Sequence, residues 1–103
     1  MLVKLADCKD VPEGSSRYVR GPAGLEIALF NVEGNFFALN NACPHQGGPL
    51  AEGKLHDYCV TCPWHAWDFD IRTGECLNYP GEEAQKIPIL IKEGAIYLEC
   101  GPS

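Results

Sequence analysis

Two short segments constrain this chain more than anything else in it: Cys43-Pro44-His45 and Cys62-Pro63-Trp64-His65. Sixteen residues lie between His45 and Cys62. Each segment holds one thiol and one imidazole around a proline, whose ring fixes φ and helps the flanking side chains converge. Two cysteines and two histidines so placed form a metal site, with Cys43, His45, Cys62 and His65 as its ligands. A zinc finger usually pairs its cysteines in one knuckle and its histidines on one helix. Here each half supplies one of each. That mixture suits a two-iron, two-sulfide cluster in which one iron takes both thiolates and the other both imidazoles. A structural zinc ion on the same four side chains stays open, because ligand softness and geometry admit it.

At these residues the chain resembles the Rieske ferredoxins, in both half-motifs and in their separation. The loops that carry the resemblance cover residues 43–48 and 62–68. The strand-rich sequence around them is compatible with the family along nearly the whole chain. The resemblance implies one Rieske-type 2Fe-2S cluster per chain, with Cys43 and Cys62 on the inner iron. His45 and His65 then hold the outer iron and reach towards the surface. It also implies an all-β fold, an antiparallel β-sandwich of barrel-like form. A small cluster-binding subdomain, about residues 41–82, is inserted in a single domain spanning 1–103.

High-potential members of the family carry an extra cysteine in each loop, and the two form a disulfide. Gly48 and Trp64 stand at those positions here. The same relatives place a serine and a tyrosine after the second histidine, donating hydrogen bonds to the sulfurs. Trp67 and Phe69 occupy these places, and a phenyl ring donates nothing. Fewer such bonds leave the reduced cluster less stabilised and lower its potential. The pattern is that of the low-potential, soluble ferredoxin branch.

With 103 residues there is room for one domain, and 46% hydrophobic with 21% charged residues is ordinary for a globular chain. No apolar run approaches the roughly 20 residues of a membrane helix, and the first ten residues do not read as a secretory signal. A cytoplasmic protein with no membrane partner is expected. Six cysteines in such a chain argue for metal ligation before disulfides. Cys8, Cys76 and Cys100 have no motif partner. Cys59 and Cys62 form a C-x-x-C that could be a redox dithiol. Residues 58–61 read as a strand, however, where positions three apart face opposite sides, so Cys59 reads as a small buried hydrophobe. The net charge of −6 speaks against nucleic acid and favours partners with a basic docking face.

Strands are expected at residues 2–6, 17–20, 26–32, 36–40, 58–61, 67–72, 75–77, 87–91 and 95–99, with residues 54–55 as a brief one. Residues 78–81 form a third loop, which in the resembling family covers the cluster. An oxygenase would also need a mononuclear iron, usually on two histidines and a carboxylate. His56 is the one histidine left over, and beside Asp57 it reads as solvent-exposed. The expected function is therefore that of a one-electron carrier and not an enzyme. It would pass electrons from a flavin-dependent reductase to a terminal oxygenase, as the ferredoxin of a dioxygenase system. The alternatives are the small electron-transfer subunit of a nitrite-reductase-like complex, or a structural zinc module that binds a partner.

Overall fold

The run Ile27-Ala28-Leu29-Phe30-Asn31-Val32 is buried at every position, which a strand achieves only when both of its faces are covered. In the computed structural model, which describes residues 2–44, 47–64 and 66–99, this strand is the centre of the molecule. The strands are β1 (Leu2–Asp7), β2 (Ser15–Arg20), β3 (Glu26–Val32), β4 (Asn35–Asn40) and β5 (Lys54–His56). They continue with β6 (Cys59–Thr61), β7 (Asp68–Asp70), β8 (Ile89–Lys92) and β9 (Ala95–Glu99). Among the described residues all pairings are antiparallel, in three sheets ordered β1-β9-β8, β2-β3-β4 and β5-β6-β7. Among the described residues there is no α-helix, and no helix is long and apolar enough to cross a membrane.

Alternation along β3 divides the core. Ala28, Phe30 and Val32 pack with Leu50, Val60, Phe69 and Ile71, together with Cys43, Cys62 and Cys76. Ile27 and Leu29 point the other way and pack with Ala6, Val11, Ile87, Ile96 and Leu98. The β2-β3-β4 sheet thus lies between the β1-β9-β8 sheet on one face and the β5-β6-β7 sheet on the other. Full burial of a side chain such as Phe30 or Leu29 contributes about 1.5–3 kcal/mol, so both interfaces are substantial.

Two hairpins close on turns with two residues in the left-handed region: Glu33-Gly34 (φ 56° and 84°) and Glu93-Gly94 (φ 51° and 77°). This geometry matches the right-handed twist of the paired strands. Buried Asn31 supports the first of them. Its Nδ2 donates to the Val11 carbonyl at 2.7 Å, and its Oδ1 accepts from Gly34 N at 3.0 Å.

The strand expected over residues 67–72 is shorter in the structure. Phe69 and Ile71 are buried in alternation, but the ladder stops after Asp70. The Asp70 carboxylate accepts hydrogen bonds from Arg72 N (2.8 Å) and from the Arg72 guanidinium (3.0 Å). This local alternative to ladder pairing bends the chain. The strand expected at 75–77 is reduced to the single bridges Phe69–Cys76 and Glu75–Glu83.

Candidate metal centre

Both motif segments sit at hairpin tips, and the two tips are closed by the same hydrogen bonds. In the first, Cys43 N donates to Gly48 O (2.9 Å) and Gly47 N donates to Cys43 O (2.8 Å). In the second, Cys62 N donates to Trp67 O (2.8 Å) and Ala66 N donates to Cys62 O (3.0 Å). The offsets of four and five residues are identical, and the residue four after each cysteine has positive φ, Gly47 at 75° and Ala66 at 60°. One backbone design therefore presents each cysteine at the base of a loop, with exposed Pro44 on the first rim and exposed Pro63 and Trp64 on the second.

Each tip is braced from below. Asn41, buried at the foot of the first loop, accepts from Leu50 N on its carbonyl (2.7 Å) and from Ala51 N on its Oδ1 (2.8 Å). The second tip rises directly from the β6–β7 pairing of Thr61 with Asp68. The third loop is tied to it: Asp68 N donates to Asn78 Oδ1 (2.6 Å) and Leu77 N to Asp68 O (2.8 Å). Tyr79 lies over Trp67 with ring centroids 4.4 Å apart. Asn41 and Asn78 were not singled out by the motifs; an asparagine next to a turn was the available signal.

Cys43 and Cys62 belong to one buried group and are 2% and 1% exposed. Gly48 of the first loop faces the second: a Cβ there would stand 2.8 Å from Cys62 Sγ and 3.1 Å from Trp64 Cγ. The two loops therefore close on each other, with the thiols inside and little room to spare. Buried thiols from two matched loops are the donor chemistry that a 2Fe-2S cluster requires of its inner iron. His45 and His65 lie outside the described residues, as does Cys100. None of the five described cysteines is in a disulfide. The two described thiols, buried side by side in one apolar group, fit the thiolate half of such a cluster.

Three large apolar side chains are exposed on the second and third loops. Trp64 is 62% exposed, Leu77 55% and Tyr79 50%. Trp67 is half-buried against the core.

Cys59 departs from its expected role. It is half-buried on the outer face of the β5-β6-β7 sheet, while Val60 beside it points into the core. It is hydrogen-bonded to Asp68, and burial, reinforced by the Asp68 carboxylate, pushes its thiol up to about 11. The strand alternation holds, but the face that Cys59 occupies is polar, shared with His56, Asp68 and Asp70. Cys59 faces outwards while Cys62 is buried in the core group, which removes the dithiol reading. His56 is exposed, as expected.

Residues 1–93 match the family model of the Rieske [2Fe-2S] domain. The ferredoxin component of the p-cumate 2,3-dioxygenase system of Pseudomonas putida is 38% identical over 102 residues, 97% of this chain and 86% of that protein. The Sphingomonas yanoikuyae B1 ferredoxin superposes with a TM-score of 0.90 at 25% identity, over 98% of this chain and 100% of its own. A chain of the complex of reduced oxygenase and oxidised ferredoxin in carbazole 1,9a-dioxygenase superposes with a TM-score of 0.86 at 26% identity. That match covers 94% of this chain and 91% of that one. Matched loops, buried thiols and these likenesses agree: the chain belongs to the Rieske [2Fe-2S] domain family and is an electron-transfer protein with a Rieske-type 2Fe-2S cluster.

Proposed function

We propose that Cys43 and Cys62 hold the inner iron of the cluster and His45 and His65 the outer one. In this reading the protein takes an electron from a flavin-dependent reductase and delivers it to the terminal oxygenase of a ring-hydroxylating dioxygenase system, in the cytoplasm. Residues at about 41–82 act as the cluster-binding subdomain, carried on the remaining two sheets. The observation that carries the proposal is the pair of equivalent loops closing over two buried cysteines, with exposed Trp64 at the rim.

The cluster supplies a site that stores and releases one electron. The chain's own residues set where that electron leaves. Phe69, Leu50 and Val60 close the inner side with apolar packing, so the route to a partner runs through the loop tips. Trp64, Leu77 and Tyr79 offer flat apolar area around those tips. Aromatic anchors of this kind are enriched where partners dock. The net charge of −6 speeds encounter with a basic partner face.

The p-cumate relative favours the oxygenase system over a nitrite-reductase-like complex. The test is reconstitution: the reduced protein is mixed with a ring-hydroxylating terminal oxygenase, its aromatic substrate and oxygen. Substrate-dependent reoxidation with product formed is expected. Reoxidation at the same rate without the oxygenase would overturn the assignment.

A further inference from the structure

The outer face of the β5-β6-β7 sheet carries a second constellation that the electron-transfer function does not use. Strand register assembles it. His56 of β5 lies opposite Cys59 of β6, and Thr61 of β6 lies opposite Asp68 of β7. Cys59 and Thr61 are two residues apart, so all four side chains share one face, while Leu55, Val60 and Phe69 face the core. The donor atoms of His56, Cys59 and Asp68 all lie within 4.8 Å of one another.

We propose that His56, Cys59 and Asp68 form a divalent-cation site, separate from the cluster ligands, that takes a zinc-class ion. One nitrogen, one sulfur and one oxygen donor suit a borderline-soft ion in tetrahedral geometry, with water completing the set. Calcium and magnesium take oxygen ligands, whereas two of the three donors here are nitrogen and sulfur. Ligand distances of about 2.0–2.3 Å place tetrahedral donors roughly 3.3–3.8 Å apart, so the group must contract by about 1 Å. Exposed His56 can turn to do this without disturbing the core.

Thr61 already positions the carboxylate. Its Oγ1 donates to Asp68 Oδ1 at 2.5 Å and lies 3.3 Å from His56 Nε2. Such supporting hydrogen bonds orient metal-binding carboxylates. Without an ion the Cys59 thiol is protonated and hydrogen-bonded to Asp68. On binding, the thiol proton passes to solvent, and thiolate plus carboxylate balance the two positive charges. Two other charged groups share this face, Lys54 opposite Thr61 and Asp70 opposite Cys59, and Asp70 is engaged by Arg72. An ion held here would tie β5, β6 and β7 together at the base of the second ligand loop.

The test uses the holoprotein equilibrated with zinc at micromolar free concentration, desalted and analysed for zinc and iron. One zinc per chain with both irons retained is expected. Cys59→Ser and His56→Gln should keep the iron and bind zinc more weakly, on the order of ten-fold or more. His56 is exposed, so its variant remains informative even if Cys59→Ser folds poorly. Cadmium-113 NMR should report a site with a single sulfur donor. No uptake by the wild type would overturn the proposal. Equal uptake by the variants, or zinc gained in proportion to iron lost, would also overturn it.

Discussion

Gly48 packs against Cys62: a Cβ added to the glycine would stand 2.8 Å from Cys62 Sγ, closer than real side chains approach. The same Cβ would stand 3.1 Å from Trp64 Cγ. By the resemblance, Gly48 and Trp64 stand where high-potential relatives place their disulfide, and here the two residues pack against each other. Bare backbone on one loop is what allows the indole and the thiol of the other to close in.

Gly48→Ala is therefore expected to open the loops. Its backbone needs no left-handed conformation, so the effect is purely one of crowding. Overpacking of this size costs about 1–3 kcal/mol. Iron analysis should find less than one cluster per chain, with a lower unfolding temperature. Full iron loading at wild-type stability would show that the loops are looser than their packing indicates.

Phe69 is fully buried in the same apolar group as Cys43 and Cys62. Phe69→Tyr brings a hydroxyl donor towards the sulfurs and should raise the midpoint potential, by tens of millivolts in order of magnitude. Trp67→Ser in addition should raise it further. A buried hydroxyl without an acceptor costs about 1–3 kcal/mol instead. Voltammetry and thermal melting separate the two results: an unchanged midpoint with lost stability would place the sulfurs out of reach.

Trp64 is 62% exposed, so Trp64→Ala removes contact area and little core packing. The midpoint should hold steady while electron transfer to the terminal oxygenase slows markedly. Stopped-flow mixing checks this. An unchanged transfer rate with a raised midpoint and faster decay of the cluster in air would make Trp64 a shield against water instead of a docking anchor.

The Arg72 guanidinium, bonded to Asp70 at 3.0 Å and lying 4.6 Å from the Tyr58 ring centroid, holds the Asp70 carboxyl below its ordinary value of 3.8. A carboxyl depressed by folding adds stability above its unfolded pKa and loses it as pH falls through the folded one. Arg72→Ala should thus lower stability modestly at neutral pH. The difference from wild type should shrink once pH drops below the carboxylate range. Urea unfolding of both proteins across that range tests the sign; a difference growing with acid would contradict it.

Most of the fold was legible because its signals are local. The buried run from Ile27 to Val32, the Glu33-Gly34 and Glu93-Gly94 turns, and the paired Cys-Pro segments each speak for themselves in sequence. What was hidden depends on which face of a strand meets the core. Cys59 looks apolar by residue type, yet its neighbours across the sheet are His56 and Asp70, and that pairing follows from register alone. The early end of β7 was equally hidden, since it turns on the Asp70 side chain bonding its own backbone two residues on. The sandwich was legible, but which sheet takes its middle place was not, because that rests on contacts between distant strands.

The proposed ligand set mixes two thiolates and two imidazoles, from Cys43, His45, Cys62 and His65. Pulsed EPR of the dithionite-reduced protein tests it most directly, because nitrogen nuclei bound to iron modulate the spin echo. Two distinct imidazole nitrogen couplings are expected, both changed in form when histidine is labelled with nitrogen-15, with loss of the signal in Cys43→Ser and Cys62→Ser. A reduced cluster without histidine nitrogen coupling, or a colourless protein that holds zinc in place of iron, would contradict it.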